Sequence, residues 1–283
     1  MSIDLVTKYS EKVDELFKAE SKLSLLTNTD YDFDGAHTVR VYKVSTANLS
    51  NYQRNCTGAQ GETEQLSRFG TLTDLSATTE YMTLSRDRSF IFNIDKMDND
   101  ETAQALASAT ALAREVREVV IPEIDAYVYD KIVTGAGTTE EETLTKLNVY
   151  DAILAGSEVL DDNEVPDTER CLIVPPATYK LIKQAIAESG NAVSEDLRLK
   201  GVVAVLDGMN VIKVPASKLP EGTNFIIVHP SATVAPIKLA DYGVHTDTPL
   251  ASGDIVTGRI VYDAFILDNK AMGIYASMSE SES

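Results

Sequence analysis

Residues 98–133 read DNDETAQALASATALAREVREVVIPEIDAYVYDKIV and carry a regular apolar pattern. Asp98 and Glu101 have the spacing of a capping box, and the acidic first turn suits the positive end of a helix dipole. Apolar side chains then recur every three or four residues, as on one face of a helix. They are Leu106, Ala109, Ala113, Val116, Val120, Ile124 and Val128. The pattern predicts one long helix against which the rest of the chain packs.

Pro122 interrupts this pattern, because proline has no N–H to bond the carbonyl of Glu118 and its ring crowds the preceding turn. The apolar spacing resumes directly afterwards, so we expect a kink at Pro122 and not an end. The first plausible end is Gly135-Ala136-Gly137, because glycine is common just after helix C-termini. At about 1.5 Å per residue, such a helix is as long as a small domain is wide. We expect it to act as a spine.

Length and composition limit the possible classes of protein. The chain has 283 residues, 43% of them hydrophobic, so one elaborate domain or two domains are both plausible. No apolar run approaches the roughly 20 residues that cross a bilayer, and the N-terminus lacks a signal-peptide layout. We therefore expect a cytoplasmic chain with no membrane partner. The net charge of -19 argues against tight binding to nucleic-acid phosphates, which needs concentrated lysine and arginine.

The cysteines and histidines show no metal-binding or catalytic spacing. Cys56 and Cys171 are far apart, which favours two free thiols over a disulfide framework or a zinc site. His37, His229 and His245 are not paired at helical spacing, and no G-x-S-x-G motif is present. We predict no catalytic residue, no cofactor and no metal.

Two local motifs have simpler explanations than ligand binding. DKMDND at 95–100 lacks the turn glycine and the distal glutamate of a calcium-binding EF-hand, so we interpret it as the start of the long helix. Gly135-Ala136-Gly137 follows a helix and not a strand, so it indicates a helix C-terminus more than a phosphate-binding loop.

Residues 2–20 predict a short amphipathic helix. Its apolar face contains Leu5, Tyr9, Val13 and either Leu16 or Phe17. A single helix cannot bury its own apolar stripe, so it must dock on another surface. The sequence leaves open whether that surface belongs to the same domain or to a neighbouring subunit.

Residues 51–80 are polar and rich in glycine, hydroxyl and amide side chains. A strand pattern at 37–45 precedes them, and strand patterns at 81–84 and 90–94 follow them. A long segment without periodicity is usually functional or disordered. We expect an extended two-stranded excursion, and because an isolated hairpin is marginally stable in water, we expect it to lie on another surface.

The chain after the long helix predicts an α/β unit. Glu140, Glu141 and Glu142 are expected to begin a helix whose apolar face is Leu144, Leu147, Tyr150 and Leu154. A buried strand at 170–174 and a helix that begins at Pro175-Pro176 follow, and the latter carries Tyr179, Ile182 and Ile186. Further expected elements are a polar loop at 189–200, strands at 202–206 and 211–214 around an Asp207-Gly208 turn, and a strand at 225–228. Residues 254–277 predict two long strands, around Asp268-Asn269, that return to cover the long helix.

Five segments, spread over most of the chain, together resemble the major capsid proteins of tailed bacteriophages, whose fold is shared with encapsulins. They are DRSFIFNIDKMDNDET (87–102), VIPEIDAY (120–127), PATYKLIKQA (176–185), HPSATVAPIKL (229–239) and VYDAFILDNKAMGIYA (261–276). No single segment is diagnostic, and the resemblance rests on their joint order.

The resemblance implies an α+β phage-capsid fold with named parts. These are an N-terminal arm (1–36), a peripheral-domain strand (37–47), an extended E-loop (48–90), the peripheral domain with the spine helix (91–140), an axial domain (141–240), and return strands with a tail (241–283). Candidate subunit-interface residues lie in the arm, the E-loop and the polar loop at 189–200. They are Leu5, Tyr9, Val13, Arg54, Leu66, Arg68, Phe69, Leu197 and Arg198.

The function that the resemblance implies is structural, with copies forming hexamers and pentamers of an icosahedral head that encloses double-stranded DNA. Implied partners are other copies, a portal, possibly a decoration protein, and DNA contacted non-specifically. Because the arm is short, a separate scaffolding protein is implied, with assembly in the bacterial host cytoplasm and a final location in the virion. Some relatives cross-link a lysine to an asparagine, but no match to that motif is found here. Alternatives are an encapsulin-type compartment and, on the α/β segment alone, a hydrolase.

Overall fold

The computed structural model describes residues 21–28, 30–31, 38–52, 54, 69, 74–97, 108–188, 205–246 and 252–280. Helices and sheets are mixed in it, as the sequence predicted. The chain divides into two compact units, of which one is Phe33–Leu84 and the other is the remainder. We call these the hairpin unit and the main unit. The expected E-loop boundaries of 48 and 90 differ from those of the hairpin unit.

A continuous spine helix runs from Ser108 to Thr134 in the main unit. It consists of α1 (Ser108–Glu115), a five-residue π-helical segment (Val116–Val120) and α2 (Ile121–Thr134). The N–H of Ile121 bonds the carbonyl of Val116, five residues back. Pro122, which cannot donate the next backbone bond, follows directly, so the widened turn accommodates it without ending the helix. The predicted cap at Asp98 lies outside the described residues.

The apolar stripe of the spine helix is buried only in its second half. Val120, Ile124 and Val128 are buried as predicted, whereas Ala109 and Ala113 are exposed. The sequence pattern was therefore wrong about burial in the first half, because spacing identifies a face of a helix and not what covers it.

The spine helix ends where glycine was expected. The N–H of Gly135 donates to the carbonyl of Lys131 (2.9 Å), which closes the last turn. A Cβ at Gly135 would lie 2.5 Å from Cγ1 of Ile266. Glycine is needed here because a neighbouring side chain approaches the backbone closely.

A six-stranded sheet forms the centre of the main unit, with the order β4-β13-β8-β5-β7-β6. The strands are β4 (Thr138–Glu141), β5 (Cys171–Val174), β6 (Val205–Leu206), β7 (Met209–Lys213), β8 (Thr223–Val228) and β13 (Ile274–Met278). β4 is parallel to β13 and β5 is parallel to β7, while the other pairs are antiparallel. Because β13 lies inside this sheet, residues beyond 240 contribute to the same layer as residues of the expected axial domain.

Two local predictions in this region are confirmed. The helix α4 (Pro176–Glu188) begins at the second proline, and Ile182 is buried. Asp207 and Gly208 connect β6 to β7 with positive φ angles of 49° and 74°. Two such residues in succession match the tight turn that joins antiparallel strands.

The glutamates at 140–142 do not begin a helix, contrary to the sequence prediction. Glu140 and Glu141 end β4, whose pairing with β13 extends the sheet. The N–H of Glu142 donates to the carbonyl of Met278 (2.9 Å), which continues that pairing. The edge of β13 supplies backbone partners from a distant part of the chain, and such tertiary context overrides a local pattern.

The helix that was expected at this point begins later, as α3 (Val149–Asp162). The side-chain oxygen of Asn148 accepts from the N–H of Thr145 (2.6 Å) in the preceding turn. Leu147 and Tyr150 of the predicted core face are exposed. The residues that are buried are Val149, Ala152, Ile153, Gly156, Ser157 and Leu160. Leu144 and Leu147 precede the helix, and its packing against the six-stranded sheet decides which of its faces is buried.

The six-stranded sheet separates two clusters of buried apolar side chains. On one face Ile173 packs in a cluster with Val128 of the spine helix. On the other face Leu172 packs in a cluster with Ile153 of α3 and Ile182 of α4. Successive strand residues point to opposite faces, so neighbours in β5 belong to different clusters.

A second, three-stranded sheet has the order β10-β11-β3 and is antiparallel throughout. Its strands are β3 (Arg86–Asp95), β10 (Ile237–His245) and β11 (Gly253–Tyr262). A short pair, β9 (Thr233–Val234) with β12 (Phe265–Ile266), lies near it in sequence. Short 3₁₀ helices occur at Leu23–Leu25, Ala216–Lys218, Pro230–Ala232 and Asp268–Gly273.

The predicted pair of long strands at 254–277 is partly wrong. β11 and β13 are separate strands in different sheets, and a 3₁₀ helix (Asp268–Gly273) stands where a turn was expected. Ile260 of β11 and Ile274 of β13 nevertheless share one buried cluster with the spine helix. Both strands therefore help to cover the helix, from different layers.

Residues 21–28 pack into the core of the main unit. Leu26 is fully buried in the cluster around the spine helix. The N–H of Asn28 donates to the carbonyl of Thr233 (2.7 Å). The predicted helix at 2–20, and so the choice between its two docking surfaces, lies outside the described residues.

The hairpin unit is built on an antiparallel pair, β1 (Thr38–Val44) with β2 (Ala77–Thr83). β1 agrees with the strand predicted at 37–45, and it pairs with β2. β2 begins before the predicted strand at 81–84. The strand expected at 90–94 belongs to β3, which pairs with β11 in the main unit.

Candidate assembly surfaces

One face of the β1–β2 pair is exposed although it carries large apolar side chains. Tyr42, Val44 and Tyr81 are 70%, 63% and 58% exposed. The register pairs Arg40 with Tyr81, and the Arg40 guanidinium lies 5.1 Å from the centre of the Tyr81 ring. Residues 40, 42 and 44 alternate along β1, so they share this face. The face combines aromatic area with a cation, which is a common composition of protein-binding surfaces.

The described parts of the loop between β1 and β2 add further apolar side chains. Tyr52 and Phe69 meet edge to face with 5.3 Å between ring centres. Leu49, Phe69 and Leu75 are all exposed. Exposed apolar side chains that touch one another, as Tyr52 and Phe69 do, mark interaction sites more often than scattered ones.

Two of the predicted interface residues can be located. Arg54 and Phe69 are both exposed, and both lie in the hairpin unit. The other seven lie outside the described residues: Leu5, Tyr9, Val13, Leu66, Arg68, Leu197 and Arg198. The interface role of all nine stays a prediction.

The sequence analysis did not select Tyr42, Val44 or Tyr81 as interface candidates. The segment HTVRVYKVS was interpreted as a half-buried strand because apolar and polar residues alternate. Apolar residues in fact occupy both faces of β1, with Val39 and Val41 opposite to Tyr42 and Val44. Bulky residues at consecutive strand positions were a usable signal for a strand that is covered on both faces.

A buried ion pair connects the spine helix to the short 3₁₀ helix Ala216–Lys218 that precedes β8. Asp125 and Lys218 are 1% and 7% exposed, and Lys218 Nζ lies 2.6 Å from Oδ2 of Asp125. The hydroxyl of Ser21 donates to the other carboxylate oxygen of Asp125 (2.6 Å). The first described residue of the N-terminal segment is thus attached to the spine helix through a charged, buried group. Sequence spacing did not indicate this site, because its members are far apart in the chain.

Asp263 anchors the residue that follows the hairpin unit. Its carboxylate accepts hydrogen bonds from the N–H and the hydroxyl of Ser85 (both 2.7 Å) and from the hydroxyl of Tyr127 (2.8 Å). The N–H of Ala264 also donates to it (2.8 Å). Burial alone favours the neutral acid, but these donors outweigh it and hold the pKa of Asp263 below its ordinary value. Asp263 directly follows β11, and Tyr127 belongs to the spine helix. The carboxylate therefore holds Ser85 close to the end of β11 and to the spine helix.

The outer face of the three-stranded sheet contains a shallow groove of about 460 Å³. Its lining includes Gly243, His245, Thr257 and Arg259. Nε2 of His245 lies 3.1 Å from Oγ1 of Thr257, and Arg259 binds both carboxylate oxygens of Asp87 (3.0 and 2.6 Å).

No group of three or more metal-binding side chains occurs within the part of the chain that the structure describes. Cys171 is a buried thiol, and burial raises its pKa, which lowers its reactivity. In the same described ranges, no helix has the length and apolarity needed to cross a bilayer.

Comparison with solved structures shows that the chain has the phage capsid fold. A structure from Mycobacterium phage Che8 matches with a TM-score of 0.77 at 16% identity and covers 97% of each chain. The capsid structure of the cyanophage P-SCSP1u matches at 0.72 and 12% identity, with 99% of this chain and 94% of that chain covered. A virus-like particle from Pyrococcus furiosus matches at 0.57 and 15% identity, with 91% and 92% covered.

Sequence comparison then identifies the family. The family model described as phage capsid protein matches residues 76–276. The chain therefore belongs to the phage capsid protein family, and it is a shell protein whose place is the virion capsid. A comparison with curated proteins found no match.

Proposed function

We propose that this chain is a major capsid protein that assembles into hexamers and pentamers of an icosahedral head around double-stranded DNA. The observation that carries the proposal is the exposed apolar face of the hairpin unit. Tyr42, Val44 and Tyr81 are exposed in the described part of the chain, so a second molecule can cover them, and fully covering a side chain such as that of Val44 contributes about 1.5–3 kcal/mol. In a shell built of one chain, the covering molecule is a neighbouring copy.

The hairpin unit suits a contact that must repeat at slightly different angles. Hexamers and pentamers use the same heterologous interface with different rotations between neighbours. A compact unit that is separate from the main unit can hold a neighbour while the angle between the main units changes. We assign this role to the segment that the sequence analysis named the E-loop.

The proposal includes partners and a place of assembly. A scaffolding protein, a portal and possibly a decoration protein take part, and assembly occurs in the bacterial host cytoplasm. The packaged DNA is contacted non-specifically, since a chain of net charge -19 repels phosphates on average and lets the DNA move. We propose no catalytic step for this chain.

The second candidate function is the shell of an encapsulin-type compartment. The match to the virus-like particle from Pyrococcus furiosus favours it, although its TM-score of 0.57 is lower than the 0.77 of the Che8 structure. Both functions use the same shell, and they differ in what the shell contains.

Light scattering of the purified chain, with negative-stain microscopy of the same sample, tests the proposal. Megadalton particles of uniform diameter support shell formation. Particles that form with DNA and a portal support the phage head, whereas particles that hold a cargo enzyme and no DNA support the compartment. A chain that remains monomeric even with its scaffolding protein contradicts both.

A further inference from the structure

One edge of the six-stranded sheet is acidic. Glu140 and Glu141 end the edge strand β4, and both side chains are exposed. Glu280 lies close to them, because the hydroxyl of Thr143 donates to its carboxylate (3.3 Å). We call Glu140, Glu141 and Glu280 the acidic edge.

The opposite end of the sheet carries lysines. The edge strand β6 there pairs with Met209 and Asn210 of β7, so Lys213 lies beyond the end of β6. Nζ of Lys183 on α4 and Nζ of Lys213 on β7 lie 5.8 and 5.5 Å from the centre of the Tyr179 ring. Lys180, also on α4, and Lys213 are exposed. We call Lys180, Lys183 and Lys213 the basic edge. Such a concentration of cations stands out in a chain with 25 basic and 44 acidic residues.

The two edges lie at the same level of the sheet. One row of paired residues crosses five strands, and it consists of Thr139, Ala276, Ile226, Ile173 and Ile212. The strand pairings make β4 and β7 run in the same direction. Glu140 and Lys213 therefore each follow that row by one residue. Four strand spacings of about 4.8 Å place them roughly 19 Å apart across the sheet.

We propose that the acidic edge of one copy contacts the basic edge of the next copy in a head-to-tail ring. This inference rests on the proposed function and names the surfaces through which the main units of neighbouring copies meet. Opposite edges of one domain are the surfaces that a heterologous contact requires, since each copy uses one edge for each neighbour. Their opposite charges attract in the correct pairing and repel when like edges meet.

The equal level of the two edges suits a contact that closes. A heterologous contact forms a ring when each copy is rotated without being shifted along the rotation axis, and otherwise it forms a helix. Glu140 and Lys213 follow the same row of paired residues, so the two edges carry their charges at the same level of the sheet.

Solvated edge charges also tolerate a change of angle. Ion pairs at a rim act over a distance near the Debye length, about 8–10 Å at moderate salt, and do not need one fixed geometry. Rings of five and six copies can thus share this contact. The contact should accordingly weaken as salt rises.

Charge reversal and charge exchange test the contact on the full-length chain. The variants are Lys213→Glu, Glu141→Lys, and the two combined. Glu141 is chosen because Glu140 already accepts a hydrogen bond from the hydroxyl of Tyr275 (2.8 Å). Lys238→Glu, on exposed β10 of the other sheet, makes the same charge change as Lys213→Glu and is the matched control. Circular dichroism establishes that each variant folds, and Lys180→Glu replaces Lys213→Glu if the latter does not.

The measured quantity is the protein concentration at which particles form, followed by light scattering at low salt. We expect each single reversal to raise it at least about tenfold, because like charges then face each other at every contact. For the combined variant, this concentration should return to within about twofold of the value for the unchanged chain. The Lys238→Glu control should form particles at the same concentration as the unchanged chain. High salt should reduce the differences.

Three results overturn the inference. The first is that the single reversals assemble like the unchanged chain. The second is that the combined variant needs even more protein to form particles than either single variant. The third is that the Lys213→Glu variant assembles normally but retains less DNA. The last result would assign the basic edge to DNA. In all three the unchanged chain forms particles, so the proposed function stands. An unchanged chain that forms no particles contradicts the proposed function together with this contact.

Discussion

Asp125 on the spine helix and Lys218 at the end of the 3₁₀ helix before β8 form an ion pair in the protein interior, with 2.6 Å between Oδ2 and Nζ. Ser21 donates to the other oxygen of the same carboxylate. One buried charge therefore joins three parts of the chain that are distant in sequence. Removing a charge from water is costly, and the cost is offset only while both partners are present.

Lys218→Met keeps the length of the side chain but leaves Asp125 buried without a counter-charge. We expect it to lower the free energy of unfolding by about 3–5 kcal/mol. The double variant Asp125→Asn with Lys218→Met should be more stable than Lys218→Met alone, because no unpaired charge remains. Urea unfolding measures the stability of both variants. Lys238→Met, at an exposed position, is the control, and its free energy of unfolding should lie within about 0.5 kcal/mol of that of the unchanged chain. A Lys218→Met variant with unchanged stability would show that the pair is not closed in solution.

Asp263 should make stability depend on pH in acid. Its pKa lies below the ordinary value of 3.8, so the folded state favours the charged form. The stabilisation is fully present above that ordinary value and is lost as pH falls through the lower pKa of the folded state. Urea unfolding of the unchanged chain and of Asp263→Asn between pH 6 and pH 2 should give a difference that shrinks at the acid end. A difference that is constant over this range would contradict the assignment.

Gly137 and Gly135 should differ in their tolerance of alanine. A Cβ at Gly137 would lie 2.6 Å from the backbone oxygen of Ala271, whereas one at Gly135 would meet the side chain of Ile266 at 2.5 Å. A side chain can rotate away and a backbone carbonyl cannot. We expect Gly137→Ala to cost more than Gly135→Ala, with both in the range of about 1–3 kcal/mol. Thermal unfolding compares them, and the reverse order would contradict the explanation.

Val128 and Ala113 lie on one predicted stripe of the spine helix, but only Val128 is buried. Val128→Asp should cost more than about 3 kcal/mol, because it places an unpaired carboxylate in the core. Ala113→Asp should leave the isolated chain folded with nearly unchanged stability. Circular dichroism and urea unfolding measure both variants. If Ala113→Asp folds but does not form particles, then a neighbouring copy covers this part of the helix.

Tyr42→Ser combined with Tyr81→Ser should separate folding from assembly. Both side chains are exposed, so their loss should change the stability of the chain by less than about 0.5 kcal/mol. Particle formation should require at least about tenfold more protein, because apolar contact area is lost at every interface. Ile237→Ser, a similarly exposed apolar site in the main unit, is the comparison. Normal particles from the double tyrosine variant would contradict the role of this face.

Local patterns were sufficient wherever backbone chemistry or helix periodicity decides the outcome. The end of the spine helix at Gly135, the start of α4 at the Pro175-Pro176 pair and the Asp207-Gly208 turn were all predicted. The order of five segments along the chain also indicated the capsid family, without any knowledge of how those segments pack. The family match at residues 76–276 confirms that identification.

Local patterns failed where a distant strand supplied the partner. Glu140 and Glu141 became a strand because β13 offered an open edge, and α3 then began later with a different buried face. The exposed face of β1 was not recognised, because the segment was interpreted as an alternating strand although bulky residues occupy consecutive positions.

The sequence by itself determined the class of protein, the spine helix and most secondary structure of the α/β unit, since these depend on periodicity, turn chemistry and segment order. Only the tertiary structure decided that Asp125 meets Lys218, that Asp263 fixes Ser85, and that Glu140 and Lys213 lie at the same level toward opposite ends of one sheet. These relationships join residues that are far apart in the chain, so they follow from strand order and packing and have no signature in local sequence.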